Sequence, residues 1–86
     1  MKTFSYIITD PDGIHARPAG RLGLLAKGFA GTKVKVEKDG KSVEVTRLMM
    51  LMGLGVKCGE TVNFTVEGPD EEAAAAAVKE FVTANL

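Results

Sequence analysis

Two short stretches of strict alternation, Lys33-Val34-Lys35-Val36-Glu37 and Lys41-Ser42-Val43-Glu44-Val45, flank the dipeptide Asp39-Gly40. Nothing else in the chain restricts its fold so much. Alternation is the period of a strand, and Asp-Gly supplies the positive φ angles of a tight hairpin turn. The chain must therefore contain antiparallel sheet with one apolar and one polar face, and something must cover the apolar face.

The rest of the sequence supplies the cover. Thr3–Thr9, rich in aromatic and β-branched residues, reads as a further strand, and Thr61–Glu67 as another, with Val62, Phe64 and Val66 on one side. Asp10-Pro11-Asp12-Gly13 reads as a turn. Ala16–Phe29 places Ala19, Leu22, Ala26 and Phe29 at helical spacing, with Pro18 in the first turn, where a helix tolerates it. Arg47–Gly53 is an apolar stretch of one or two helical turns, and Gly55–Glu60 a loop. Gly68-Pro69-Asp70 is expected to cap a last helix, whose stripe is Ala74, Ala77, Val78, Phe81 and Val82. The expected order is β-α-β-β-α-β-α, an α+β fold in one domain spanning residues 1–86.

Composition excludes several functions. With 11 basic and 11 acidic side chains, the zero net charge argues against general nucleic-acid binding. One cysteine, Cys58, and one histidine, His15, make neither a disulfide framework nor a usual metal site, so neither a metal nor a cofactor is expected. The longest apolar run, Leu48–Met52, is far too short to span a membrane, and no secretion signal is read at the N-terminus, so a cytoplasmic location is expected. At 86 residues there is little material for a deep pocket.

The chemistry concentrates in Gly13-Ile14-His15-Ala16-Arg17-Pro18-Ala19. A glycine turn delivers an imidazole to the entrance of a helix. There the free N–H groups of Ala16 and Arg17, with the helix dipole behind them, form an anion site. A neutral imidazole is a nucleophile for phosphoryl transfer, and Arg17 can hold a phosphoryl group by two parallel hydrogen bonds. On these grounds alone, His15 serves equally well as a helix cap, and the loop as a simple anion-binding module. A second constellation is Arg47-Leu48-Met49-Met50-Leu51-Met52-Gly53-Leu54-Gly55. Leu51 and Leu54 are expected inside, leaving Leu48, Met49 and Met52 as an exposed adaptable patch, or else as local core. Cys58 is read as incidental.

Gly13–Ala19 closely resembles the active-site signature of the HPr family, the histidine-containing phosphocarriers of the bacterial phosphotransferase system. Ala26-Lys27-Gly28-Phe29, Asp39-Gly40-Lys41, the apolar helix ending in Leu54-Gly55 and Glu67-Gly68-Pro69-Asp70-Glu71 extend the resemblance along essentially the whole chain. It implies an open-faced β-sandwich, a four-stranded antiparallel sheet with three helices on one face. It implies a carrier and not an enzyme, phosphorylated on Nδ1 of His15 by phosphorylated enzyme I and passing the group to enzyme IIA components of sugar transporters. Arg17 would assist the phosphoryl group, and Gly20, Leu24, Arg47, Leu48, Met49 and Met52 would belong to the partner-docking surface of a monomer. A regulatory phosphorelay, or an interaction module switched by phosphorylation, are the alternatives within the same resemblance.

Many Gram-positive members carry a regulatory serine at the start of the short helix. Counting forward from His15 puts that slot at Thr46, but the Leu-Met-x-Leu-x-x-Leu-Gly pattern puts it at Arg47. The apolar pattern decides, because a slip would misplace every core side chain. Thr46 is left as a neighbouring hydroxyl expected to cap the helix.

Overall fold

The computed structural model describes residues 1–86. Its elements are β1 (Lys2–Ile7), α1 (Ala16–Lys27), β2 (Lys33–Lys38), β3 (Lys41–Glu44), α2 (Leu48–Gly53), β4 (Thr61–Glu67) and α3 (Glu71–Asn85). The four strands form one antiparallel sheet in the order β1-β4-β2-β3.

The hairpin is as its sequence requires. Lys38 pairs with Lys41, and the two residues between them, Asp39 (φ 52°) and Gly40 (φ 82°), both adopt positive φ. Along β2 and β4 the alternation sorts cleanly. Val34, Val36, Val62, Phe64 and Val66 are buried, while Lys33, Lys35, Thr61, Asn63 and Glu67 are exposed. Phe4 of β1 lies opposite Phe64, and the two rings stack with centroids 5.0 Å apart. The other face is polar: Ser5 bonds to Asn63, whose Nδ2 donates to Glu37 Oε1 at 2.9 Å.

The helices cover only the apolar face. α3 lies over β1 and β4, α1 packs on α2 and α3, and α2 reaches β3. Ala74, Val78 and Val82 of α3 and Ala19, Leu22 and Ala26 of α1 complete the core. Burial of so many Val, Leu and Phe side chains, at about 1.5–3 kcal/mol each, is the main source of stability. The architecture is the expected α+β arrangement.

Element ends differ from the sequence reading in instructive ways. The ladder of β1 runs to Ile7; the Ile8 N–H still follows its register, donating to the Glu60 carbonyl at 3.0 Å, and the chain leaves β4 only where the Thr9 and Asp10 N–H groups turn to Leu86 O. α1 ends at Lys27, and Phe29, expected in the helix, donates its N–H to Ala26 O in a tighter closing turn. Val45 falls outside the β3 ladder, yet its N–H still donates to Val34 O at 3.0 Å and its side chain is buried. Asp70 holds the N-cap position of α3, but its side chain makes no cap bond. Instead Thr32 Oγ1 accepts the Asp70 N–H at 3.0 Å.

Candidate functional site

His15 is built into place from three sides. Gly13 adopts φ +66°, and a Cβ there would collide with the Val56 carbonyl oxygen, so only glycine fits. The next residue, Ile14, is buried and donates its N–H to that carbonyl at 3.1 Å. The loop before the histidine is thus tied to the loop after α2. Beneath that second loop, Lys38 Nζ donates to Gly55 O at 3.1 Å and pairs with Glu60 at 2.9 Å, while Glu60 Oε1 accepts the Lys57 N–H at 2.7 Å. The ammonium of Lys38, followed by the Lys57 N–H, holds the Glu60 carboxyl below its ordinary value.

His15 itself is the N-cap residue of α1. Its backbone is extended and its carbonyl accepts the Ala19 N–H at 3.0 Å, but its side chain makes no cap bond. The imidazole is therefore free of the capping role and is 37% exposed. Ala16 and Arg17, the first two helical residues, are exposed, and their N–H groups have no intrahelical acceptor, while Pro18 has no N–H to offer. The exposed guanidinium of Arg17 enters none of the protein's five ion pairs. A nucleophilic ring, free donors and an unpaired cation thus meet at an open helix N-terminus.

One partner of His15 was not foreseen. Asp10, read only as a turn residue, has its Oδ2 3.2 Å from His15 Nε2. Its other oxygen, Oδ1, accepts the Asp12 N–H at 2.8 Å. These two bonds, the backbone one first, hold the Asp10 carboxyl below its ordinary value. The signal was there in hindsight: a carboxylate five residues before the histidine, with Pro11 and Gly13 to fold it back. Asp10, Asp12 and His15 each place a possible ligand atom within 4.8 Å of the others, but both Asp10 oxygens are already engaged within the group.

The apolar patch is partly as expected. Leu51 is buried and Leu54 packs against the core, while Leu48 and Met49 are exposed, Met49 at 82%. Met49 precedes Leu51 by two residues, or about 200° around a helix, which puts it on the opposite side. Leu24 and Gly20 on the adjoining α1 open outward as well. Met52 is a correction: it is half-buried against the core, because it follows the buried Leu51 by one residue, about 100° around the helix, and so lies at the border of the buried face. Met50, which the sequence reading passed over, is exposed instead, beside Val43, Glu44 and Arg47. Arg47 is the N-cap of α2 with an exposed side chain 3.5 Å from Glu44. No side chain caps α2, so the expected Thr46 cap is absent and Thr46 is simply exposed. Cys58 is free and exposed, its Sγ 3.7 Å from Thr9 O. No helix is long and apolar enough to cross a membrane.

Comparison with known proteins covers nearly the whole chain. The family described as PTS HPr component phosphorylation site matches residues 2–84. A phosphocarrier protein HPr of Mycoplasma genitalium is 38% identical over 79 residues, 92% of this chain and 90% of that one. A multiphosphoryl transfer protein of Vibrio cholerae is 38% identical over 98% of this chain, which spans 22% of that protein. The crystal structure of HPr-C-His from Thermoanaerobacter tengcongensis superposes with a TM-score of 0.90 at 37% identity, covering 98% of this chain and 93% of that one.

Proposed function

The chain belongs to the HPr family of phosphocarriers of the phosphotransferase system, and on that premise we propose that it accepts a phosphoryl group on His15 from phosphorylated enzyme I and hands it to enzyme IIA components of sugar transporters. It does so in the cytoplasm, as a carrier that is itself the substrate and not as an enzyme. The observation that carries this reading is the half-exposed His15 ring, standing at a helix N-terminus without being used to cap it.

In this mechanism a ring nitrogen attacks phosphorus in line with the donor's departing group. The N–H groups of Ala16 and Arg17 and the Arg17 guanidinium meet the charge on the phosphoryl oxygens. The dipole contribution is small, about 0.3–1 kcal/mol at an exposed site, which suits a group that must be given up again. The exposed Leu24, Leu48 and Met49, with the half-buried Gly20 and Met52 and the exposed Arg47, supply the docking face. A single copy presents both this face and His15, so a monomer suffices.

Incubation with enzyme I and phosphoenolpyruvate should give one acid-labile phosphoryl group per chain, on His15. His15→Ala should abolish it while changing stability by less than about 0.5 kcal/mol. Full labelling of that variant would place the acceptor elsewhere.

A further inference from the structure

Asp10 is fixed more firmly than a turn residue needs to be. Its N–H donates to Leu86 O at 2.8 Å, its carbonyl accepts the Gly13 N–H at 2.9 Å, and its Oδ1 accepts the Asp12 N–H at 2.8 Å. Only Oδ2 is left to point outward from this frame, and it meets His15 Nε2 at 3.2 Å. The pair is no bystander on the surface, for the Asp10 side chain is only 21% exposed. A carboxylate has no proton to give, so Nε2–H is the donor. A neutral imidazole with its proton on Nε2 bears its lone pair on Nδ1.

We propose that Asp10 is a positioning residue for phosphoryl transfer: its carboxylate keeps the proton on Nε2 of His15, makes Nδ1 the nucleophilic nitrogen, and balances the positive charge of the phosphorylated ring. The proposal rests on the carrier reading above and adds to it a proton held in place throughout. The lone pair of Nδ1 forms the bond to phosphorus as the donor's bond to phosphorus breaks and its electron pair leaves with the donor. The ring is then an N-phosphorylated imidazolium, still protonated on Nε2, with its charge facing Asp10 Oδ2. In onward transfer the P–Nδ1 bond breaks, its electron pair returns to Nδ1, and the neutral ring with Nε2–H is restored. No proton enters or leaves in either direction. A ring that keeps its Nε2 proton departs as neutral imidazole, a far better leaving group than the imidazolate that a deprotonated phosphorylated ring would expel, so the carboxylate favours release as well as uptake. The lowered Asp10 carboxyl agrees with a group that stays ionised for this purpose.

The test uses the full chain with 15N-labelled histidine, compared with Asp10→Ala and Asp10→Asn. Ring 15N spectra of the unphosphorylated proteins, taken where the ring is neutral, report the tautomer without any partner. The wild type should show the Nε2–H form. Asp10→Ala should show a measurable Nδ1–H fraction, and Asp10→Asn, which keeps a side-chain oxygen as acceptor, should restore the wild-type tautomer. With enzyme I and phosphoenolpyruvate, Asp10→Ala should lower the maximal rates of uptake and onward transfer on the order of tenfold, with KM for enzyme I unchanged. Asp10→Asn, lacking the charge, should stay slow despite its restored tautomer. An unchanged tautomer in Asp10→Ala, or a changed tautomer with unchanged rates, overturns the proposal. Failure of the wild type to accept any phosphoryl group would instead remove the carrier reading, and the tautomer spectra would still decide whether Asp10 sets the ring.

Discussion

At the scale of single residues, the site divides into parts that a linear sequence displays and parts that only folding assembles. His15, Arg17 and the free N–H groups are adjacent in the chain, and a helix start arranges them by itself, so their roles can be read from order alone. Arg17→Ala should still accept a phosphoryl group but transfer it about tenfold or more slowly, because the guanidinium stabilises moving charge and forms no covalent bond. Stopped-flow transfer from enzyme I and onward to enzyme IIA measures this, and rates unchanged from the wild type in both directions would remove Arg17 from the mechanism. Asp10 was not legible in the same way. Its carboxylate reaches His15 only because the turn at Asp10–Gly13 doubles back, and that turn depends on Val56 and Leu86, more than forty and seventy residues away in sequence. Alternation and helical spacing carry no information about such closures.

At the scale of elements, the sequence was most informative where a period runs long. The strands β2 and β4 and the helix α3 repeat their pattern several times, and their buried faces came out as spacing predicts, except that in α3 Ala75 and not Ala77 packs against the core. α2 has six residues, fewer than two turns, so one angular choice decides each side chain: Met52, expected outside, is half-buried, and Met50, given no place, is exposed. The difference between Met49 and Met52 has a measurable consequence. Met49→Glu should weaken docking to enzyme I, raising KM, with a stability change within about 0.5 kcal/mol. Met52→Glu should instead lose about 1–3 kcal/mol in urea unfolding, because a carboxylate is pressed against the core. Equal destabilisation by both would place Met49 in the core too. The same element bears on regulation. α2 begins after Arg47, leaving Thr46 exposed but one residue ahead of the N-cap. A kinase that modifies the regulatory serine of Gram-positive relatives should leave this chain unmodified or act weakly on Thr46, since a displacement of about 1 Å can cost on the order of a hundredfold in rate. Mass spectrometry after incubation with ATP reads the result, and rapid stoichiometric modification of Thr46 would show that the register argument is wrong.

At the scale of the whole molecule, the loops that carry His15 are secured by charge as well as by apolar packing. The Lys38–Glu60 pair ties the end of β2 to the loop whose Val56 carbonyl receives Ile14. Glu60 is held below its ordinary carboxyl value by Lys38 and the Lys57 N–H. A carboxyl whose folded-state value is depressed adds stability that is present above its unfolded value and lost as pH falls through the folded one. Urea midpoints should therefore decline on acidification from about pH 5 downward. Glu60→Gln should be less stable than the wild type near neutrality and show a flatter acid limb. Parallel limbs in the two proteins would assign the acid sensitivity to other carboxyls.

The strand order imposes a schedule on the chain as it is made. β1 emerges from the ribosome first, yet its one neighbour in the sheet is β4, whose residues pair Lys2 with Val66 and Ile7 with Thr61. At about 5–20 residues per second, roughly sixty residues of further synthesis hold that strand open for about 3–12 s. During this interval the β2–β3 hairpin can close on its own, in microseconds. A chain ended before residue 61 should therefore leave Phe4 and Tyr6 accessible, since β1 has no other strand to pair with, the first strand of the sheet made being the last one joined.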